Sequence, residues 1–108
     1  MVKKEIIRNL QKLHKAVEET GIRITKIVLY GSYANGTFNR DSDIDVAIVS
    51  PDFGRDRFEE GVKLFEIASK IDPRIEPVPI SLNSYKKDTW LPLIYDIREK
   101  GVEISTSS

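Results

Sequence analysis

At 108 residues the chain has room for one hydrophobic core and no second lobe, so a single domain over 1–108 is expected. Its 17 acidic and 17 basic side chains cancel, which removes the global basic field that argues for nucleic-acid binding. There is no cysteine, hence neither a disulfide framework nor thiolate chemistry, and no apolar run approaches the ~18 residues of a membrane span, so a cytoplasmic protein is the expectation.

In chain order, Val2, Ile6, Leu10, Leu13 and Val17 recur every three or four residues over 2–20, the stripe of an amphipathic helix that Gly21 would stop. Lysines and arginines (Lys3, Lys4, Arg8, Lys12, Lys15) crowd the same segment, and its single histidine, His14, is assigned no role. A first strand spans Thr25 to Tyr30 and breaks at Gly31-Ser32, followed by a short helical turn at Tyr33-Ala34-Asn35. A second strand, Ile44 to Val49, has Asp43 and Asp45 at its entrance, and the loop Pro51 to Gly54 closes it. From Asp56 to Ile71 the pattern is helical, with Phe58, Val62, Phe65, Ala68 and Ile71 expected on the core side and Asp72-Pro73 as its end.

Prolines at alternate positions make 74–80 an extended segment on an exposed sheet edge, and its only carboxylate is Glu76. A polar stretch, Asn83 to Asp88, leads to a helix over 90–100 with Pro92 in the first turn, Gly101 as its stop and Leu93, Ile94 and Ile97 facing the core. Trp90 and Tyr95 are read as core or lid residues rather than as base-stacking ones. Val102 to Ile104 adds a short last strand, and 105–108 is expected to fray. The order α-β-α-β-α-β-α-β points to an α/β (α+β) sandwich, a small mixed β-sheet with helices packed on it.

The segment from Tyr30 to Val49 carries the chemistry. Asp43 and Asp45, two apart on an extended strand, share a face with their backbones roughly 6 to 7 Å apart. Their repulsion becomes ligation if a hard divalent cation sits between them. Gly31 permits close backbone approach, and Ser32, before a helical turn, aims N–H groups and a hydroxyl outward, which suits an anion. A lone D-x-D would read as a solvated turn feeding a strand. The strand and Gly-Ser corner ahead of it make the pair describe a metal-bound phosphate chain instead.

Gly31-Ser32, then Gly36, then Ser42-Asp43-Ile44-Asp45, resembles the G-S-(x)n-D-x-D signature of the DNA polymerase beta-type nucleotidyltransferase superfamily, in its shortest form, the minimal nucleotidyltransferases. The chain has Asn35 where the family often has Arg before the second Gly. The resemblance implies a polymerase beta-like palm with its site at the sheet's exposed edge. It also implies transfer of a nucleoside monophosphate, AMP from ATP foremost, to an acceptor hydroxyl with release of pyrophosphate. Two Mg²⁺ ions, or Mn²⁺, would be held by Asp43, Asp45 and a third acid, for which Glu76 is the candidate and Asp72 the rival. Gly31 and Ser32 would hold the β,γ-phosphates, with Arg40 or a lysine adding charge. Minimal nucleotidyltransferases pair with small helical HEPN proteins as toxin and antitoxin, so a HEPN-type partner is expected, with a homodimer as another arrangement. An inactive nucleotide- or partner-binding module and a transferase for aminoglycoside-like small molecules are the competing readings.

Overall fold

A computed structural model describes residues 3–37 and 42–105, without the Asn35 side chain. The elements are α1 (Lys4–Glu18), β1 (Lys26–Tyr30), α2 (Ser32–Asn35), β2 (Ile44–Ser50), α3 (Arg57–Ser69), β3 (Ile75–Ser81), α4 (Leu82–Lys87), α5 (Pro92–Lys100) and β4 (Val102–Glu103). The sheet runs β3-β2-β1-β4, with β1 antiparallel to both β2 and β4 and β3 parallel to β2. It is the mixed sheet expected, with helices on both faces.

Side-chain alternation divides the core in two. Ile27, Leu29, Ile44, Val46, Ile48 and Ile75 pack with Ile6, Leu10, Leu13 and Val17 of α1 and with Leu64 and Ala68 of α3. The opposite parity, Val28, Ala47, Val49 and Ile80, packs with Ile94 and Ile97 of α5. Strand β2 is therefore covered on both sides from Val46 onward. On the face that begins with Asp45 the strand turns aliphatic at Ala47, the next residue on that side.

Strand β3 is an edge. The Ile44 N–H donates to the Arg74 carbonyl at 2.8 Å, so the even-numbered residues of β3 turn their backbone groups toward β2. Pro77 and Pro79 consequently present their missing donors to the free edge, where a proline costs no ladder bond and blocks addition of another strand.

Two expectations need correction. Phe58, Val62 and Phe65 are not core residues: they are exposed at 80, 42 and 53 %, because α3 buries Leu64 and Ala68, with Ile67 and Ile71 beside them. The polar stretch at Asn83 to Asp88 is largely helical. Ser81 caps α4 by accepting from the Ser84 N–H (3.0 Å), and Leu82 and Tyr85, three apart, pack against the second core. Trp90 and Tyr95 stand out from the core, 75 and 52 % exposed.

Candidate functional site

The site is built at the end of β1. Gly31 has φ 71° and ψ −148°, a region L side chains rarely enter, and a Cβ placed there would collide with the Asp45 carboxylate oxygen Oδ2. The Gly-Ser corner thus abuts the second aspartate of the D-x-D pair. Behind it α2 makes one turn and stops at Gly36, also left-handed at φ 82°. Tyr33, on the far side of that turn, is buried in the main core and anchors it, while the Thr37 N–H closes onto the Ser32 carbonyl at 3.0 Å. Ser32 takes the first helical position, where backbone N–H groups have no intrahelical acceptor.

Sheet register assembles the acids. Asp45 stands opposite Tyr30 on one side and opposite Glu76 on the other, so Tyr30, Asp45 and Glu76 form one row across the sheet. The row directly beneath is Val28, Ala47 and Val78. Asp43 precedes Asp45 by two and shares its face.

The electrostatics record this crowding. Asp45 is pushed up from the ordinary carboxylate value by partial burial and then by the negative charge of Asp43. Glu76 is also raised, first by loss of hydration, then by the charges of Asp43 and Asp45 and by a side-chain hydrogen bond with Asp43. Half-buried Tyr30 is pushed up to about 12 by desolvation and by Asp45 and Glu76, so its phenol stays neutral. Each group resists gaining further negative charge, the condition a bound cation relieves. Among the described residues no three carboxylate, histidine or cysteine side chains already converge as a metal cage. The donor set of hard oxygens on adjacent strands nevertheless has the chemistry that Mg²⁺ or Mn²⁺ requires.

Asp72 is not part of this group. Its carboxylate accepts from the Arg74 backbone N–H (3.0 Å), Nε (3.1 Å) and Nη2 (2.8 Å) and from Asn9 Nδ2 (3.2 Å), pinning α1 to the turn before β3. Arg74 beside it holds its carboxyl below the usual range. Arg40 lies outside the described residues. Tyr30 was overlooked in the sequence because it reads as the last aliphatic-patterned residue of a strand; only the strand register aligns it with the acids. A concavity of 550 Å³ along α3, lined by Ile22, Phe53, Phe58 and Val62 among others, shares no residue with the acid row.

The profile of the Nucleotidyltransferase domain matches residues 10–104. The chain belongs to that family. It is therefore a nucleotidyltransferase, and the minimal architecture read from its motif stands. It is 29 % identical over 100 residues to "Putative protein adenylyltransferase MJ0141" of Methanocaldococcus jannaschii, covering 93 % of this chain and 96 % of the relative. Among solved structures, a toxin-antitoxin with AMP-PNP superposes with TM-score 0.60 at 24 % identity, over 93 % of this nucleotidyltransferase and 74 % of that chain. A mutant of the toxin-antitoxin MntA-HpeT gives 0.59 at 24 % identity, over 90 and 73 %. At that identity the likeness speaks for the fold alone. No helix among the described residues is long and apolar enough to cross a membrane.

Proposed function

We propose that this nucleotidyltransferase transfers AMP from ATP to a hydroxyl on a small helical HEPN-type partner, as the antitoxin of a two-component system. One observation carries the chemical part: Asp45 and Glu76 stand side by side across β2 and β3, Asp43 is on the same face, and the Gly31 corner abuts Asp45. The relative named as a protein adenylyltransferase and the toxin-antitoxin structures support the partner and the nucleotide.

In this reading the bare backbone of Gly31 lets a triphosphate come close, and the Ser32 hydroxyl and the N–H groups of the turn donate to its β,γ-oxygens. Asp43, Asp45 and Glu76 would hold two Mg²⁺, which when bound neutralise the developing phosphate charge and acidify the attacking hydroxyl. Glu76, in the same row as Asp45, would receive the proton of the acceptor hydroxyl. The acceptor oxygen forms its bond to the α-phosphorus as the bond from that phosphorus to the β-bridging oxygen breaks. Pyrophosphate leaves carrying the electron pair. Tyr30, neutral and in the same row, offers an O–H donor without adding charge.

The test is incubation of the co-expressed partner with α-labelled ATP and Mg²⁺. Label should enter the partner with wild-type protein and be absent with Asp43→Asn or Asp45→Asn. Labelling that survives both substitutions refutes the assignment. A neighbouring reading frame coding for no small helical protein, together with label entering only small hydroxylated molecules, would overturn the partner.

A further inference from the structure

Helix α3 carries two apolar stripes. One, Leu64 and Ala68 with Ile67 and Ile71, is spent on the core. The other, Phe58, Val62 and Phe65, lies about a third of a turn around the helix, since each residue advances roughly 100°. A single exposed apolar side chain needs no account. Two phenylalanines and a valine at four- and three-residue spacing are the seam of a helix that packs on another helix. From the exposed fractions and the ~200 Å² of an aromatic side chain, the stripe offers on the order of 300 Å² of apolar surface.

The charges beside the stripe indicate what covers it. One flank reads Glu59, Lys63, Glu66, Lys70, all exposed. Reversed, the order is Lys, Glu, Lys, Glu. An antiparallel copy of the same helix therefore sets Glu59 toward Lys70 and Lys63 toward Glu66, because both pairs share a midpoint between Leu64 and Phe65. The two-fold makes every such contact twice. Only the antiparallel arrangement brings this flank against itself; a parallel two-fold would turn it toward the opposite flank. The seam pairs centre one residue earlier, between Lys63 and Leu64, an offset of about 3 Å between facing positions that the long Lys and Glu side chains span: Val62 meets Phe65, and Phe58 lies beside Ser69, a small residue that leaves it space. On this flank the concavity lined by Ile22, Phe53, Phe58 and Val62 can receive an incoming ring.

We propose that the outer face of α3 is a self-association surface, on which a second copy of this chain lays its own α3 antiparallel across a two-fold axis. The surface shares no residue with the acid row, so the pairing is independent of the proposed transfer chemistry.

Sedimentation velocity of the whole chain across a wide concentration range tests it. The wild type should form a dimer. Phe58→Glu and Phe65→Glu should each weaken that dimer at least roughly tenfold, as loss of a central aromatic anchor does, with an unchanged circular dichroism spectrum. Lys63→Glu alone should weaken it, and Lys63→Glu combined with Glu66→Lys should restore it; that rescue depends on self-complementarity and not on folding. A monomer at every concentration overturns the proposal, as does a dimer indifferent to these substitutions. Binding of an unlike protein through this stripe by a chain that stays monomeric alone also overturns it.

Discussion

Asp45→Asn is expected to stabilise the metal-free protein while abolishing transfer. The folded-state values of Asp45 and Glu76 are both raised. A carboxylate raised on folding contributes stability that is present below its unfolded value and is lost as pH rises through the folded value, so at pH 7 the fold bears the full cost of lost hydration and then of repulsion. Asparagine keeps the shape beside Gly31 and removes the charge. Asp45 meets two like charges, Glu76 across the ladder and Asp43 along the strand. At ~0.2–1 kcal/mol for each adjacent like pair, the relief is about 0.5–2 kcal/mol, or a rise in Tm of roughly 2–8 °C for a domain of this length. Calorimetry in chelator at pH 7 measures it, and the gap should shrink toward pH 4 as the carboxylates protonate. Added Mg²⁺ should then raise the wild-type Tm, by about 2.7 kcal/mol of stability at a hundredfold excess over Kd, and leave Asp45→Asn unmoved. A lower Tm for Asp45→Asn in chelator would refute the reasoning, since the carboxylate would then be a net source of stability.

Gly31→Ala should cost about 1–3 kcal/mol by chemical denaturation, from the positive φ and the collision with Asp45, and should eliminate label transfer even below the melting temperature. Asp72→Ala should cost about 2 kcal/mol by removing the acceptor of Arg74 and Asn9 without changing transfer per folded molecule. Because that carboxyl is held low, the difference should vanish only as pH falls through its folded value, below the ordinary ~3.9. In Arg23→Ala the Asp52 carboxyl, pulled down to about 2 first by the Arg23 side chain, should rise in an NMR titration but stay below the ordinary range, because the backbone N–H at position 23 still donates to it. Ala47→Leu overfills the row beneath the acids and should cost about 1–3 kcal/mol. If that floor aligns the acids, kcat should fall with KM nearly unchanged; a loss of stability with full kcat would remove the floor from the positioning account.

The motif was legible because it is local. Gly31, Ser32, Asp43 and Asp45 lie within one turn and one strand entrance, where spacing and alternation fix which groups share a side. Glu76 was identified by family position, and its register opposite Asp45 follows from a parallel crossover that no local pattern encodes. Helix α3 misled for the opposite reason. Its stripe of Phe58, Val62 and Phe65 has the better period and the larger side chains, yet periodicity reports which residues share a face and not which of two apolar faces meets the core. The choice was tertiary: the fit of Leu64 and Ala68 against the sheet orients the helix. Six residues with two apolar side chains gave α4 too little pattern to read, although Ser81 is an ordinary N-cap.

The placement of the acids at the entrance of β2 follows from these constraints. A row of mutually repelling carboxylates cannot stabilise its own geometry, so its alignment must come from residues that gain by packing. Those are directly below: Ala47 and Val49 on β2, Val28 on β1 and Ile80 on β3, closed over by Ile94 and Ile97. Because strand register is all-or-none, a one-residue slip of β3 would move Glu76 to the other face and bury Pro77 and Pro79 against the wrong partners, at the cost of both cores at once. The aliphatic rows therefore hold Glu76 beside Asp45 with far more free energy than the carboxylates can spend in pushing apart. The repulsion remains as unmet affinity for positive charge at one fixed point of the sheet, against a glycine corner whose missing side chain leaves room for the Asp45 carboxylate.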